Sequence, residues 1–289
     1  MRTGLKPLLA GELLERAARP LSAMPRPFVR WAGSKQRLLR EIVDVLPSRM
    51  NVYHEPFLGS GALFFLLTPE RAVLRDSCAE LIDTYEAVRD GTERVLAWLS
   101  DMVPSRDAFY RIRAKRSRGR YKRAAEFIYL NKTCWNGLYR VNSDGVFNVP
   151  YGRPKTDFII DPENVRRCSR ALKSQGVHLA VGDFEESFER VRSGDLVFLD
   201  PPYVTRHNNN GFVDYNETLF SWTDQERLAA AAQRLVRRGA HVVVTNAEHR
   251  EVLDLYHGFE VRSLRRASTL ASDTRKRGRV SEALIFRSP

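Results

Sequence analysis

Short apolar runs alternate with amphipathic stretches along this chain. A 3.6-residue apolar period predicts helices over 36–46 and 223–237, and the four residues from Thr223 to Glu226 form a predicted capping box. We expect 283–286 to return as an antiparallel strand beside 259–264, which makes the predicted sheet mixed. Alternating strands and helices predict a doubly wound α/β sheet. The runs that have the length and composition of buried parallel strands lie at 52–54, 72–74, 179–181, 196–199 and 242–244.

One long stretch, 78–159, interrupts the strand pattern. It contains a helical region followed by Asp144-Gly145, a pair typical of a hairpin turn. We therefore predict an inserted module over 78–159, with 27–77 and 160–289 forming one discontinuous domain. Residues 1–26 differ in character from the rest of the chain and are interpreted as an N-terminal extension.

Composition excludes several classes of protein. The chain has 289 residues, of which 43% are hydrophobic, and no run approaches the roughly 20 apolar residues that a bilayer requires. Cys78, Cys134 and Cys168 lie far apart and form no CxxC pair, so we expect neither a disulfide framework nor a structural zinc site. The histidines show no ligand spacing, and we interpret His207 as a loop residue rather than a metal ligand. These features predict an intracellular, reducing location.

The charge distribution favours a polyanionic partner. The formal net charge is +12, and lysine and arginine contacts release counterions from a nucleic acid backbone. A basic segment at 262–279 contains Asp273 as its only acid. A second segment contains no acid and consists of Arg111, Arg113, Lys115, Arg116, Arg118, Arg120, Lys122 and Arg123. The alternative for both segments is an ordinary solvated surface.

The most specific feature is Asp200-Pro201-Pro202-Tyr203, which ends the apolar run 196–199. An open α/β sheet places its chemistry at the C-terminal ends of its parallel strands. Two prolines stop the strand and fix the local φ angles, so the motif presents its groups as a rigid unit. The Asp200 carboxylate and the Pro201 carbonyl can accept both N–H bonds of a planar exocyclic amine, while the Tyr203 ring stacks on the attached ring.

Further segments accompany this motif, and together they resemble a known family. The segments are Phe28-Val29-Arg30-Trp31-Ala32-Gly33-Ser34-Lys35, Glu55-Pro56-Phe57-Leu58-Gly59-Ser60-Gly61, Asn131-Lys132-Thr133-Cys134-Trp135-Asn136-Gly137-Leu138-Tyr139-Arg140 and Phe147-Asn148-Val149-Pro150-Tyr151-Gly152. From 27 to 286, the chain resembles the Dam-like, D12-class, alpha-group N6-adenine DNA methyltransferases, which use S-adenosylmethionine. The resemblance implies a Rossmann-like methyltransferase sheet, with 78–159 as the target-recognition domain.

The resemblance also implies a set of residues that bind S-adenosylmethionine. A glycine turn lets backbone amides approach the ligand, and an acid after the second strand can bind the ribose hydroxyls, which is the role expected for Asp76. The family usually has asparagine two residues after this acid, where this chain has Cys78. The alternatives are a tight turn for the glycines, core or surface positions for Trp31 and Lys35, and a helix cap for Asp183. The full set is Trp31, Lys35, Phe57, Gly59, Gly61, Asp76, Asp183 and Asp200.

The DNA-binding residues implied by the resemblance are Arg116, Lys132, Trp135, Asn136, Leu138, Arg140 and Pro150. Bidentate arginine to guanine is the commonest specific base contact, so we expect Arg140 to read a base. Val149-Pro150 is expected to contact a thymine methyl. For Trp135 and Asn136 the alternatives are a packed aromatic and a turn-forming asparagine. Because the target-recognition signature is well kept, we predict GATC as the target.

These features predict methyl transfer to adenine N6, with Asp200, Pro201, Pro202 and Tyr203 as the catalytic residues. Accepting hydrogen bonds make the amine more nucleophilic, and Tyr203 stacks on a base flipped out of the duplex. Two alternatives remain open: methylation of RNA or of a protein amide, and a catalytically silent DNA-binding protein. The expected partners are duplex DNA and a restriction endonuclease acting on the same site. We expect a monomer or weak dimer in the cytoplasm, associated with the nucleoid and encoded by a bacterium, an archaeon or a phage.

Overall fold

The computed structural model describes residues 24–156, 159–204, 220–267 and 279–289. Residues 1–23 of the predicted extension, His207, and residues 268–278 of the basic segment lie outside these residues. Among the helices that are described, none is both long enough and apolar enough to cross a membrane.

The described strands form a mixed sheet with the order β3-β2-β1-β4-β5-β7-β6. Their bounds are Tyr53–Glu55 (β1), Arg71–Asp76 (β2), Gly176–Val181 (β3), Leu196–Leu199 (β4), His241–Ala247 (β5), Glu260–Ala267 (β6) and Arg279–Arg287 (β7). The described α-helices are Leu39–Val43 (α1), Ala62–Leu67 (α2), Ala79–Ser100 (α3), Arg106–Ala114 (α4), Arg120–Thr133 (α5), Pro162–Leu172 (α6), Trp222–Arg237 (α7) and Arg250–Leu253 (α8). Short 3-10 helices span Lys35–Arg37, Trp135–Gly137 and Phe184–Arg190.

The chain divides into two compact units. The first unit contains 38–57 and the described residues of 183–289. In it, β4 pairs in parallel with β1 and β5, and β7 runs antiparallel between β5 and β6. Every residue of β4 is buried, as its uninterrupted apolar sequence predicts. Helix α7 packs Leu228 and Leu235 into the same core cluster as Val197, Val244 and Ile285.

The second unit contains 24–37 and the described residues of 58–182. Its strands β2 and β3 pair in parallel, with Leu74 opposite Leu179. Side-chain caps begin two of its helices: Ser105 accepts from the Ala108 amide at α4, and Asp161 accepts from the Asn164 amide at α6. The chain turns back at 142–146, where the antiparallel bridge between Val141 and Phe147 closes the predicted hairpin.

The predicted fold class, a Rossmann-like mixed α/β sheet, is confirmed. Strand β4 has the predicted bounds, and the segment 283–286 belongs to the antiparallel strand β7. Strand β7 lies between β5 and β6, so it pairs with the predicted neighbour and also with β5. The predicted domain boundaries at 77 and 159 remain predictions.

Two helix predictions need correction. The region 36–46 is not one helix, because the backbone of Leu38 leaves helical geometry between the 3-10 turn and α1. The capping box of α7 is formed by Ser221 and Asp224, not by Thr223 and Glu226. The sequence offers both boxes, and the earlier one adds Trp222 and Thr223 to the helix.

Candidate functional site

In the first unit, the Asp-Pro-Pro-Tyr motif follows β4 directly, and strand β5 orients its acid. The Thr245 hydroxyl donates a 2.6 Å hydrogen bond to Oδ1 of Asp200. Thr245 is fully buried, so this bond is shielded from competition with water. The carboxylate is therefore presented in a fixed rotation at the end of its strand.

The backbone of the motif is held through the neighbouring residue of β5. The Gln225 side chain of α7 donates to the Pro202 carbonyl at 3.3 Å. It also accepts from the side-chain amide of Asn246 at 3.0 Å. Both Gln225 and Asn246 are fully buried. Because successive strand residues point to opposite faces, Thr245 and Asn246 hold the motif from the two sides of the sheet.

The aromatic end of the motif is attached to β7. The Tyr203 hydroxyl donates a 2.7 Å hydrogen bond to Oε2 of Glu282, whose side chain is fully buried. Tyr203 itself is half-buried. The motif is thus held at its acid, at its backbone and at its aromatic ring.

Strand β1 adds a buried polar pair beside the motif. The Tyr53 hydroxyl donates to Oε2 of Glu55 at 2.9 Å. Burial raises the pKa of Tyr53 well above its usual value, and the negative charges of Glu55 and Asp200 act in the same direction. Tyr53 is therefore a neutral donor over the physiological range.

Phe57, predicted to bind the cofactor, stacks on Phe184 at 5.4 Å between ring centroids.

In the second unit, the glycine turn lies against Trp31. Gly59 and Gly61 both have positive φ angles, 46° and 64°, which disfavour other residues. A Cβ on Gly59 would come within 2.8 Å of the Trp31 ring. The turn therefore needs glycine both for its backbone conformation and for its close approach to the indole. The tight turn, which was the alternative interpretation of these glycines, is therefore present, and it is compatible with their predicted cofactor role.

Asp76 organises the same turn. Its carboxylate accepts from the backbone amides of Gly59 and Cys78, each at 2.9 Å. Burial raises the pKa of Asp76, while the bonds from the backbone amides oppose this shift. The Ser77 amide also bonds to this carboxylate. A carboxylate has about four acceptor positions, so these amide bonds still leave capacity for a ribose hydroxyl.

The residues ahead of the turn are also held by local hydrogen bonds. The buried Lys35 ammonium donates to the Gly33 carbonyl at 2.6 Å, and the Ser34 and Ser60 hydroxyls bond to each other at 2.8 Å. These contacts place Lys35 in a packed environment rather than on the open surface. Its predicted contact with the cofactor carboxylate remains a prediction.

Asp183, at the start of the 3-10 helix Phe184–Arg190, makes the contacts of a helix cap. Its side chain accepts from the Glu185 amide at 3.0 Å, and Glu186 completes a capping box. Arg227 of α7 bonds to the same carboxylate at 3.0 Å. The capping alternative is therefore present, and a role at the cofactor adenine remains a prediction.

The hairpin of the second unit presents Arg140. Its Nε donates to the Asn148 side chain at 2.8 Å, and the Asn148 amide donates to the Arg140 carbonyl at 3.1 Å. Arg140 is exposed. The guanidinium is thus oriented by the facing residue of the hairpin. No residue in the described ranges bonds to its terminal nitrogens, so their donors remain for a ligand.

The adjacent turn exposes two other predicted DNA-binding residues. Trp135 is 43% exposed, and the exposed Asn136 has a positive φ of 54°. The Trp135 amide donates to the carbonyl of the exposed Pro150 at 2.9 Å, while Leu138 is half-buried. Asn136 therefore does form a turn, and Trp135 is not a packed core aromatic.

Segment 111–123 contains no acid of its own, but the fold brings carboxylates from other parts of the chain to it. Arg116 pairs with Glu80 at 2.7 Å and with Glu126 at 3.3 Å, and its side chain is mostly buried. Arg120 pairs with Asp90 of α3 at 2.7 Å. Helix α3 and α5 itself thus supply carboxylates that the sequence window does not contain. Within the described part of the chain, the exposed Arg111, Lys115 and Arg118 make no ion pair with an acid.

Lys132, another predicted DNA-binding residue, lies in an unusual environment. Burial lowers the pKa of Lys132 to about 8, and the nearby positive charges of Arg30 and Arg26 lower it further. Cys168 acts in the opposite direction and raises the pKa of Lys132.

The three cysteines are free, and burial raises the pKa of each thiol to about 12.

Several contributors to these contacts were absent from the predicted site, Glu282 and Tyr139 among them. Glu282 bonds to Tyr203, and a lone acid beside the apolar residues 283–286 was the available signal. Tyr139 stacks on Trp31 at 5.4 Å and donates to Glu80 at 3.2 Å. Tyr139 precedes Arg140 in the chain, so it connects the predicted base reader with the residues at the glycine turn.

Comparison with known proteins identifies the class to which this fold and these motifs belong. The family model of the D12 class N6 adenine-specific DNA methyltransferases matches residues 31–270. The match spans most of the chain and includes the glycine turn, the hairpin closed by Val141 and Phe147, and the Asp-Pro-Pro-Tyr motif. The chain belongs to the D12 class N6 adenine-specific DNA methyltransferase family.

Similar curated proteins come from bacteria and an archaeon. A type II methyltransferase of Lactococcus lactis subsp. cremoris is 34% identical over 90% of this chain and 94% of its own length. A type II methyltransferase of Methanocaldococcus jannaschii is 35% identical over 90% of this chain and 98% of its own length. The DNA adenine methylase of Escherichia coli K12 is 29% identical over 91% of this chain and 96% of its own length. The chain therefore spans nearly the full length of these relatives.

Proposed function

We propose that this chain transfers a methyl group from S-adenosylmethionine to N6 of an adenine that is flipped out of duplex DNA. Family membership supports adenine-specific DNA methyl transfer. The observation that carries the proposal is the fixation of Asp200 by Thr245, because it orients an acceptor at the end of β4. The donor supplies an electrophilic methyl group on a sulfonium sulfur, and the chain must supply an oriented, nucleophilic amine.

The proposed chemistry addresses the low nucleophilicity of the exocyclic amine. Its lone pair is delocalised into the adenine ring, and hydrogen bonds accepted by Asp200 and the Pro201 carbonyl shift electron density back to N6. The same bonds align the amine for in-line displacement. The amine loses one proton during the reaction, and the Asp200 carboxylate is the proposed acceptor. Pro201 and Pro202 restrict the backbone between the acid and the ring.

Tyr203 is proposed to stack on the flipped adenine. A base inside a duplex cannot reach an enzyme's reacting groups, and unstacking it costs a few kcal/mol, which an aromatic face partly restores. The half-buried position of Tyr203 supports this role, because part of its ring remains accessible while its hydroxyl is bound.

The proposed cofactor residues are Trp31, Lys35, Phe57, Gly59, Gly61, Asp76, Asp183 and Asp200. The close approach of Gly59 to Trp31 and the remaining acceptor capacity of Asp76 are compatible with a nucleoside ligand. The buried Lys35 ammonium is the proposed partner of the methionine carboxylate. Calorimetry with S-adenosylmethionine tests this set, and Asp76→Ala is expected to weaken binding.

For target recognition we propose that Arg140 reads a guanine within GATC. Its exposed and oriented guanidinium supports base reading. Trp135 and Asn136 are proposed to act where the duplex opens, and Lys132 remains a proposed DNA contact. For Arg116, the DNA contact that the resemblance implies competes with its ion pairs to Glu80 and Glu126. A restriction endonuclease that shares the target is proposed as a biological partner.

The deciding experiment expresses this chain in a methylation-deficient bacterial host, with Asp200→Ala as the control. Modification-sensitive sequencing of the genomic DNA is expected to show N6-methyladenine at one short motif, absent in the control. A motif other than GATC would correct the target alone. Soluble wild-type protein that leaves every adenine unmodified would contradict the proposed activity. Competition between DNA, RNA and protein substrates would then test the remaining alternatives.

A further inference from the structure

Glu282 occupies a position where an apolar residue would satisfy the fold. It lies in β7, opposite Ala247 of β5 and Leu264 of β6, and its side chain has no exposed surface. The next three residues, Ala283, Leu284 and Ile285, are all buried and apolar. Burying a carboxylate costs several kcal/mol unless hydrogen bonds compensate it. A carboxylate at this position therefore calls for a reason beyond packing.

The described contact of this carboxylate leads to the Asp-Pro-Pro-Tyr motif. Oε2 of Glu282 accepts the Tyr203 hydroxyl at 2.7 Å across 79 residues of sequence. Hydrogen bonds to ionised groups are shorter and stronger than bonds between neutral groups. The bond fixes the far end of a side chain whose near end is already restrained by two prolines.

The strand register relates this bond to the one that holds the acid. Thr245 pairs with Leu284, and Ala247 pairs with Glu282. Since paired residues share a face and residues two apart share a face, Thr245 and Glu282 lie on the same face of the sheet. Thr245 holds Asp200, and Glu282 holds Tyr203. One face of two neighbouring strands therefore fixes both functional ends of the motif.

We infer that Glu282 is a positioning residue for methyl transfer, acting through the Tyr203 hydroxyl to hold the ring in the plane that stacks on the target adenine. The inference rests on the proposed function. Glu282 does not touch the base in this arrangement. Tyr203→Phe keeps the stacking surface and removes the donor of this bond, whereas Glu282→Leu removes its acceptor, so both variants are expected to impair the same step.

The test compares Tyr203→Phe, Glu282→Leu and the double variant by steady-state kinetics on a DNA duplex with the target adenine. Each single variant is expected to lower kcat by about tenfold or more, with the KM for S-adenosylmethionine unchanged. The double variant is expected to match the single variants, because both remove one shared interaction. Multiplying effects would overturn the inference.

A second measurement separates positioning from stability. With 2-aminopurine at the target position, fluorescence rises on flipping and is quenched by stacking, so both variants are expected to flip the base with weaker quenching. Tyr129→Phe is the matched control, since its buried ring also loses a hydroxyl that bonds to Val103 and Ser105. Unchanged quenching in both variants, or kcat losses that merely follow a lowered unfolding temperature as in the control, would overturn the inference.

The wild-type enzyme distinguishes the two levels of failure. If it transfers no methyl group to DNA, the proposed function falls and the positioning role falls with it. If it methylates DNA while both variants retain wild-type kcat, the positioning role alone is wrong. Should Glu282→Leu fail to fold, Tyr203→Phe alone still decides through its kcat and its quenching.

Discussion

The Thr245 hydroxyl lies 2.6 Å from Oδ1 of Asp200 and donates a hydrogen bond to it. Thr245 belongs to β5, whereas Asp200 follows β4, so the parallel pairing of these strands brings the two side chains together. The bond holds the carboxylate in one rotation before any substrate arrives. Preorganised acceptors are effective in enzymes because they need no reorganisation during the reaction.

We therefore predict that Thr245→Val lowers kcat for DNA methylation by about 10–100-fold, since a bond to a charged group contributes about 1.5–3 kcal/mol. Valine keeps the β-branched shape and removes the donor. Thr245→Ser keeps the hydroxyl and is expected to retain most of the activity. Binding of S-adenosylmethionine, measured by calorimetry, should be little changed. Equal activity in the valine and serine variants would show that the bond does not contribute.

Arg140 provides the prediction for sequence choice. Its Nε is bound by Asn148, which leaves the terminal nitrogens of an oriented guanidinium for a base. Arg140→Ala is expected to lose about 1–3 kcal/mol of discrimination at one base pair. Asn148→Ala should cause a smaller loss at the same base pair, because it removes only the orientation. The measurement is kcat/KM on duplexes with single substitutions in the target, and uniform weakening on all of them would make Arg140 a phosphate contact.

The basic segment 111–123 gives a matched pair of arginines. Arg118 is exposed, and none of its described neighbours is an ion-pair partner, whereas Arg116 is held between Glu80 and Glu126. Arg118→Ala is expected to reduce the magnitude of the slope of log affinity against log salt concentration by the amount that one phosphate contact contributes. Arg116→Ala should leave this slope nearly unchanged and lower the free energy of unfolding by an amount on the order of 2 kcal/mol.

DNA binding measured over a range of salt concentrations, together with denaturant unfolding, separates these roles. If Arg116→Ala reduces the salt slope as much as Arg118→Ala does, then Arg116 contacts DNA as the family resemblance implies. In that case Glu80 and Glu126 would orient the guanidinium toward DNA rather than use all of its donors.

Local sequence predicted the parts of the site that depend on neighbouring residues. The run 196–199 predicted β4, and the prolines after it predicted a rigid motif at its end. The glycine turn likewise follows from its own residues. What local sequence could not predict were the contacts that cross the chain. The bond between Tyr203 and Glu282 spans 79 residues, and it depends on β7 entering the sheet beside β5.

The same limit applies to the basic segment. Arg116 and Arg120 have no acid within 111–123, but the packing of α3 against α5 brings Glu80 and Asp90 to them. The charge of a sequence window thus predicts a polyanionic partner only where packing in the fold brings no opposite charge to that window. For Asp183, a helix cap and a ligand contact use the same residue type, so sequence alone left both open.

Lys132 provides a prediction in which pH acts in opposite directions on stability and on DNA binding. Burial and the charges of Arg30 and Arg26 lower its pKa to about 8 in the folded protein. Between this value and its pKa of about 10.4 in the unfolded chain, the unfolded state binds more protons, so the contribution of Lys132 to stability rises with pH. If Lys132 contacts a phosphate, its contribution to DNA affinity instead falls as the ammonium loses its proton above about pH 8.

The measurement is DNA affinity at fixed salt from pH 7 to pH 9, a range chosen to span the lowered pKa of about 8, for the wild type, Lys132→Arg and Lys132→Met. Affinity of the wild type is expected to fall with pH, whereas arginine stays charged and methionine is uncharged throughout, so both variants should show flat profiles. The raised pKa values of the three thiols lower the stability of all three proteins as the pH rises, so the contribution of Lys132 is read from the difference between proteins. Denaturant unfolding over the same range should show that the stability of the wild type relative to Lys132→Met rises with pH. A wild-type affinity that does not change with pH, accompanied by this rise in relative stability, would mean that Lys132 is a buried structural lysine and not a DNA contact.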